Sequence, residues 1–87
     1  MPRVFIPPLL RTLTDNVEEV EVDAKNVRQV IEQLETRFPG IRSRLCEDDA
    51  LKPGISVAVD GNVSLLGMLQ KVGPQSEVHF LPAIGGG

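Results

Sequence analysis

Two residue types that build reactive and metal-binding sites are almost missing from this 87-residue sequence, which has one cysteine and one histidine. A single cysteine, Cys46, cannot form an internal disulfide. Because His79 has no second histidine or cysteine at ligand spacing, we expect no metal site. Cys46 precedes the carboxylates of Glu47-Asp48-Asp49, which raise the pKa of a thiol, whereas a reactive thiolate needs cationic or helix-terminal neighbours. We therefore expect an ordinary thiol beside a solvated acidic loop.

The sequence also lacks long apolar runs, a basic excess and any catalytic motif, and each absence excludes a class of protein. No apolar run approaches the roughly 20 residues needed to cross a bilayer, and Met1-Pro2-Arg3 leads into a strand pattern rather than a secretory signal. The net charge is −3, whereas a nucleic-acid-binding protein normally carries a basic face. No acid/base or nucleophile pair is recognisable. We expect a cytoplasmic protein that binds neither membranes nor nucleic acid and is not an enzyme.

The residues that are present predict one small α+β domain. With 41% hydrophobic and 24% charged residues, the composition is that of an ordinary globular chain. β-Branched and alternating runs predict strands at about residues 3–7, 17–22, 55–59, 63–66 and 77–81. Asn26 and Gln29 form a capping-box pattern at the start of the one strong helix, which Pro39-Gly40 ends. With the polar segment 46–54 as a loop, the order is β-β-α-β-β-β, a mixed sheet of four to five strands packed on one main helix.

Alternation along the strands assigns side chains to the two faces of this predicted sheet. The residues predicted to face the helix are Val4, Ile6, Val57, Val59, Val78 and Phe80. The residues between them, Phe5, Ala58, His79 and Leu81, then lie on the opposite face. Apolar surface clustered near the end of the chain needs a partner to cover it. We predict that these four residues and Pro82 form a docking patch for another protein.

The segment that follows Pro82 has little with which to build structure. It consists of Ala83, Ile84, Gly85, Gly86 and Gly87, and glycine has the highest conformational entropy of any residue. We therefore predict a folded domain over 1–82 and a flexible tail over 83–87. Five extended residues reach roughly 16–18 Å, enough to thread a narrow channel in a partner. Because ordering them costs roughly 5–10 kcal/mol, such a partner must also grip the domain.

The strand order, the opening Val4-Phe5-Ile6-Pro7 and the closing segment 77–87 resemble the MoaD/ThiS family of β-grasp sulfur-carrier proteins, which are relatives of ubiquitin. The most specific part is a last strand of the form Glu-Val-x-Phe-Leu-Pro, then two small or apolar residues and a terminal diglycine, which Gly86-Gly87 match. Gly85 stands where these proteins often have alanine. The segment Ile6-Pro7-Pro8-Leu9-Leu10-Arg11 most resembles the carriers that serve cysteine biosynthesis, while the small subunits of molybdopterin synthase share the same tail.

The resemblance implies a protein that carries sulfur on its own C-terminus. In this family a separate ATP-dependent enzyme adenylates the terminal carboxylate, here that of Gly87, and a sulfur donor converts the acyl-adenylate to a thiocarboxylate. The sulfur then passes to an acceptor synthase in cysteine, molybdopterin or thiamine biosynthesis, or to a tRNA base. The carrier is expected to bind no cofactor, because ATP and the sulfur donor are used by the activating partner.

Two functions of other classes remain open at this point. A ubiquitin-like modifier would use the same activated Gly87 to form a bond with a lysine of a target protein. A bare interaction module would have an inert tail, because the β-grasp fold is reused for many functions. Lysine adducts in cells would favour the modifier, and function retained without Gly86-Gly87 would favour the module.

Overall fold

A computed structural model describes residues 1–82 of the chain as a mixed sheet covered on one face by a helix. The strands are β1 (Arg3–Phe5), β2 (Glu19–Glu21), β3 (Cys46–Glu47), β4 (Ala50–Leu51), β5 (Ile55–Val59), β6 (Asn62–Val63) and β7 (Glu77–Pro82). The helices are α1 (Val27–Arg37) and α2 (Ile41–Leu45), with 3₁₀ turns at Pro8–Leu10 and Gly67–Leu69. The main sheet has the order β2-β1-β7-β5-β6, in which β1 and β7 are parallel and the other pairs antiparallel. The predicted α+β architecture is confirmed.

The core lies between α1 and one face of the main sheet. The apolar stripe of α1 is fully buried and comprises Val27, Val30, Ile31 and Leu34. The six strand residues predicted to face the helix are all buried in the same cluster: Val4, Ile6, Val57, Val59, Val78 and Phe80. Alternation therefore predicted the inner face correctly, because a strand residue and its second neighbour share a face.

Helix α1 begins and ends at the residues that the sequence predicts. The side chain of Asn26 accepts a hydrogen bond from the backbone N–H of Gln29 at 2.8 Å, and the side chain of Gln29 accepts one from the N–H of Lys25 at 2.8 Å. The first bond satisfies an N–H group that a helix start leaves unpaired, and the second holds the chain just before the cap, one residue earlier than in a capping box. The helix ends at Arg37, and Gly40 then takes a φ of +103° that favours glycine.

The predicted loop over residues 46–54 is wrong in its first half, where β3 and β4 form a hairpin. Asp48 and Asp49 make the two-residue connection with φ of +50° and +67°, a conformation that aspartate tolerates better than most residues. Arg28 and Arg42 both pair with the carboxylate of Asp49, and Glu47, Asp48 and Asp49 are all exposed, so the acidic segment is solvated as predicted but forms the turn of a hairpin. Strands of two residues show no periodicity, which is why the sequence pattern missed them.

Three predicted strands, over 3–7, 17–22 and 63–66, are longer than the observed ones, whereas 55–59 is observed as predicted and 77–81 extends to Pro82. The strand expected over 63–66 is limited to Asn62–Val63, because the side chain of Ser64 accepts the backbone N–H of Leu66 at 3.0 Å and donates to Gln70 at 2.6 Å. Such side-chain bonds to the local backbone compete with strand pairing. At the other end of the sheet, β1 stops at Phe5 just before Pro7 and the 3₁₀ turn.

Candidate functional site

The candidate docking surface is the sheet face that points away from α1. The strand register aligns Phe5 with His79, His79 with Ala58, and Ala58 with Val63. These four residues therefore form one row across β1, β7, β5 and β6. Leu81 lies two residues beyond His79 on the same face, opposite Ser56. We call the four residues of the row together with Leu81 the outer patch.

The aromatic centre of the outer patch is a stacked pair. The rings of Phe5 and His79 are parallel within 3°, with their centroids 4.2 Å apart, a contact that favours burial of both faces. The guanidinium of Arg3 lies 5.6 Å from the centroid of Phe5, within the range of a cation–π contact. The stack fixes Phe5 and His79 in place as a flat, half-buried surface.

Exposure within the outer patch is uneven. Leu81 is 40% exposed and Val63 is 58% exposed, whereas Ala58 is only 7% exposed. Ala58 thus supplies the floor beneath its neighbours and offers little surface of its own. Val63 was predicted as a strand residue but not as part of the patch. Its register partner Ala58 is the signal that would have placed it there.

The outer patch grades from charged to apolar along the strands. Arg3 bonds to Glu19 at 3.1 Å and to Glu77 at 2.5 Å, and Nε2 of His79 lies 3.9 Å from a carboxylate oxygen of Glu77. These exposed pairs contribute little to stability because water screens them. They place the ionic groups at the start of β7, so the apolar end of the patch is the end at Leu81.

Strand β7 leads from the outer patch to the end of the described chain. It pairs with β1 on one side and with β5 on the other, and its last residue, Pro82, is the register partner of Ile55. The predicted tail, Ala83 to Gly87, lies outside the described residues, and the placement of Pro82 is described for its backbone only. The structure therefore brings Phe5 of β1 together with His79 and Leu81 of β7, the strand whose last residue is Pro82.

Cys46 and the carboxylates do not form a reactive centre in residues 1–82. The thiol of Cys46 is buried, with its sulfur 3.8 Å from that of Met68. Burial raises the pKa of Cys46, with the carboxylate of Asp49 raising it further and the guanidinium of Arg42 opposing both. The sequence predicted this direction but attributed it to the acidic neighbours rather than to burial. Among the described residues, no group of three or more His, Cys, Asp or Glu could hold a metal ion.

Comparisons with known proteins agree on one family. The family model described as the ThiS family matches residues 4–87. A chain of the crystal structure of the Amycolatopsis orientalis BexX/CysO complex is 31% identical with a TM-score of 0.92, and the match covers 100% of both chains. The structure of Mycobacterium tuberculosis CysO, described as an antigen, is 25% identical with a TM-score of 0.88 over 97% of this chain and 100% of that one. SAMP1 from Haloferax volcanii is 21% identical with a TM-score of 0.71, over 99% of this chain and 98% of that one, and shows the fold alone. No curated protein matches.

The fold is therefore that of the ubiquitin-like β-grasp proteins. The chain belongs to the ThiS family, whose members are small protein carriers rather than enzymes. The resemblance to MoaD/ThiS sulfur carriers that the sequence shows is confirmed. Within residues 1–82, no helix combines the length and the apolar character that crossing a membrane requires.

Proposed function

We propose that this protein carries sulfur as a thiocarboxylate on Gly87. The observation that supports the proposal most is that the ThiS family match extends to Gly87 and so includes the terminal diglycine. A carboxylate is a poor electrophile, and a separate ATP-dependent enzyme makes it reactive by forming an acyl-adenylate with release of pyrophosphate. A sulfur donor then attacks the acyl carbon, a C–S bond forms, and AMP leaves.

The described residues support this proposal by providing a rigid base for the tail. β7 is paired with β1 over residues 77–79 and with β5 over residues 78–82, so Leu81 and the backbone of Pro82 are held in the sheet by β5. The outer patch beside it supplies the apolar grip that offsets the ordering of the tail. On this proposal the adenylating enzyme binds the outer patch and receives residues 83–87 in its active site.

The acceptor that we propose is an activated serine derivative, which gives cysteine. The segment from Ile6 to Arg11 resembles the carriers of cysteine biosynthesis and supports this choice. In the structure it leaves β1 through Pro7 and the 3₁₀ turn Pro8–Leu10, next to Leu81. The acceptor synthase therefore meets this segment when it takes the tail. Pterin, thiazole and tRNA acceptors are the other outcomes of an assay with defined acceptors.

The direct test of the proposal is ATP–pyrophosphate exchange with the adenylating enzyme from the same cells. We expect exchange with the intact chain and none after deletion of Gly87, because the carboxylate of Gly86 then lies about 3.5 Å short of the reacting position. The matched control is Gly85→Ala, which changes the tail at a position where the family often carries alanine. Exchange lost in the control, or retained in the deletion, would contradict the proposal.

A further inference from the structure

A cavity lies on the face of the sheet opposite the outer patch, at the same end of the strands. It has a volume of about 220 Å³ and an apolar floor made by Leu10, Leu45, Ile55 and Phe80. The volume is below the roughly 300–1,000 Å³ of pockets that hold small molecules. It suits one apolar side chain of another protein. Leu9 stands at its edge with 78% of its surface exposed, so the apolar surface continues out to the rim.

Two cations border the cavity, Arg44 at the end of α2 and Lys52 after β4. Neither forms an ion pair with the described part of the chain, which is also true of Lys25, Arg37 and Lys71, but no carboxylate of the described residues lines the cavity. The whole protein has a net charge of −3, so a rim with two cations and no carboxylate is a local excess of positive charge. Its complement is an acidic surface.

The position of the cavity connects it to the tail. Ile55, which forms part of its floor, is the register partner of Pro82. Because paired strands lie ~4.8 Å apart, the last described residue is one strand spacing from the cavity. A protein that receives residues 83–87 therefore covers this cavity as well.

We propose that the cavity binds an apolar side chain of the adenylating enzyme, held by flanking carboxylates against Arg44 and Lys52. This inference rests on the proposed function for the identity of the partner. The volume of the cavity fits an apolar side chain of the size of leucine. The two cations favour carboxylates on either side of that side chain in the partner. The partner then straddles the end of the sheet, with one contact on the outer patch and one in the cavity.

The binding chemistry can be tested without the enzyme. The probe is the peptide acetyl-Glu-Leu-Glu-amide, titrated into the full chain while the methyl signals of Leu10, Leu45 and Ile55 are followed by NMR. We expect these signals to shift, and to shift several-fold less with acetyl-Gln-Leu-Gln-amide or at 1 M salt, where the Debye length falls to ~3 Å. The proposal would be overturned if the methyl signals did not shift with the acidic peptide, or if they shifted equally with both peptides.

Variants of the chain test the same contact. The double variant Arg44→Glu/Lys52→Glu should weaken binding of the acidic peptide by about three- to tenfold, as expected for two exposed ion pairs. Its matched control is Lys25→Glu/Lys71→Glu, which changes the net charge equally but alters residues outside the cavity. Equal binding by the two double variants would contradict the proposal, and methyl spectra without peptide show that both are folded.

The enzyme assay separates this inference from the proposed function. With the adenylating enzyme, Arg44→Glu/Lys52→Glu should raise the KM for the chain about three- to tenfold and leave kcat unchanged. An intact chain that supports no exchange refutes the proposed function, and the peptide titration still decides the cavity. Normal exchange with an unchanged KM in the double variant refutes the cavity contact alone.

Discussion

At the scale of single residues, Leu81 is the side chain on which the docking proposal depends most. Its neighbour Phe80 points into the core, while Leu81 is 40% exposed on the outer face. Leu81→Asp should weaken binding of the adenylating enzyme about fivefold or more, as for a residue at the centre of an interface. The thermal midpoint should stay close to that of the unchanged chain, because the substituted side chain already contacts water.

The control for this substitution is Leu65→Asp, since Leu65 is 99% exposed and lies outside the outer patch. Binding is measured as the KM for the carrier in pyrophosphate exchange. Phe5→Asp should act in the same direction as Leu81→Asp, because it removes the ring that stacks on His79. Unaltered KM values in both patch variants would remove the outer patch from the interface.

Cys46 gives a second prediction at the residue scale. Because burial raises the pKa of its thiol and only the thiolate reacts, alkylation by iodoacetamide should be slow near neutral pH. We expect the folded chain to react at least about tenfold more slowly than the urea-unfolded chain, with a rate that rises as the pH is raised. Mass spectrometry of the alkylated fraction measures both rates. Equal rates would show that Cys46 is accessible and active.

At the scale of elements, Glu35 joins the two helices. Its carboxylate accepts the backbone N–H of Gly40 at 3.1 and 3.2 Å and that of Arg42 at 2.9 Å, so it caps the start of α2. The hydrogen bond from Arg42, then that from Gly40, lowers the pKa of Glu35 below its ordinary value of 4.5. A carboxyl group with a lowered pKa stabilises the folded state above its unfolded pKa, and this contribution is lost as the pH falls through the folded pKa.

The substitution Glu35→Gln should therefore lower the free energy of unfolding at pH 7. The difference from the unchanged chain should shrink as the pH is lowered from above 4.5, because the native carboxyl group then becomes neutral as well. Urea unfolding at several pH values measures this. The control is Glu32→Gln on the same helix, because the carboxylate of Glu32 accepts no backbone N–H among residues 1–82. A pH-independent difference would contradict the capping role.

The elements also show how far sequence reasoning extends. The alternation Val4-Phe5-Ile6 and the capping pair at α1 depend on near neighbours, and the sequence predicted both correctly. The stack of Phe5 on His79 depends on the parallel register of β1 and β7, whose residues lie far apart in the chain, so no local pattern shows it. The hairpin β3–β4 was missed because each of its strands has only two residues, too few to show alternation.

At the scale of the whole molecule, the sheet order places the end of β7 beside both the outer patch and the cavity. The first and last strands pair in parallel, with β1 beside residues 77–79 of β7, while β5 pairs with residues 78–82 on the other side. The outer patch and the cavity lie on opposite faces at that end. The ionic groups that contain Arg3 lie at the other end of the strands, which leaves the apolar surface beside Leu81.

The central claim is that Gly87 carries sulfur, and C-terminal fragment mass spectrometry tests it most directly. The chain is taken from cells that supply the adenylating enzyme, its thiols are alkylated, and the fragment that contains Gly87 is isolated. Fragment mapping is needed because oxidation of Met1, Met68 or Cys46 imitates the nominal mass of replacing oxygen by sulfur. We predict that one oxygen of the Gly87 carboxylate is replaced by sulfur, which carries the alkyl group after this treatment. A plain carboxylate in the presence of a competent activating system, or Gly87 joined to a lysine instead, would contradict the account.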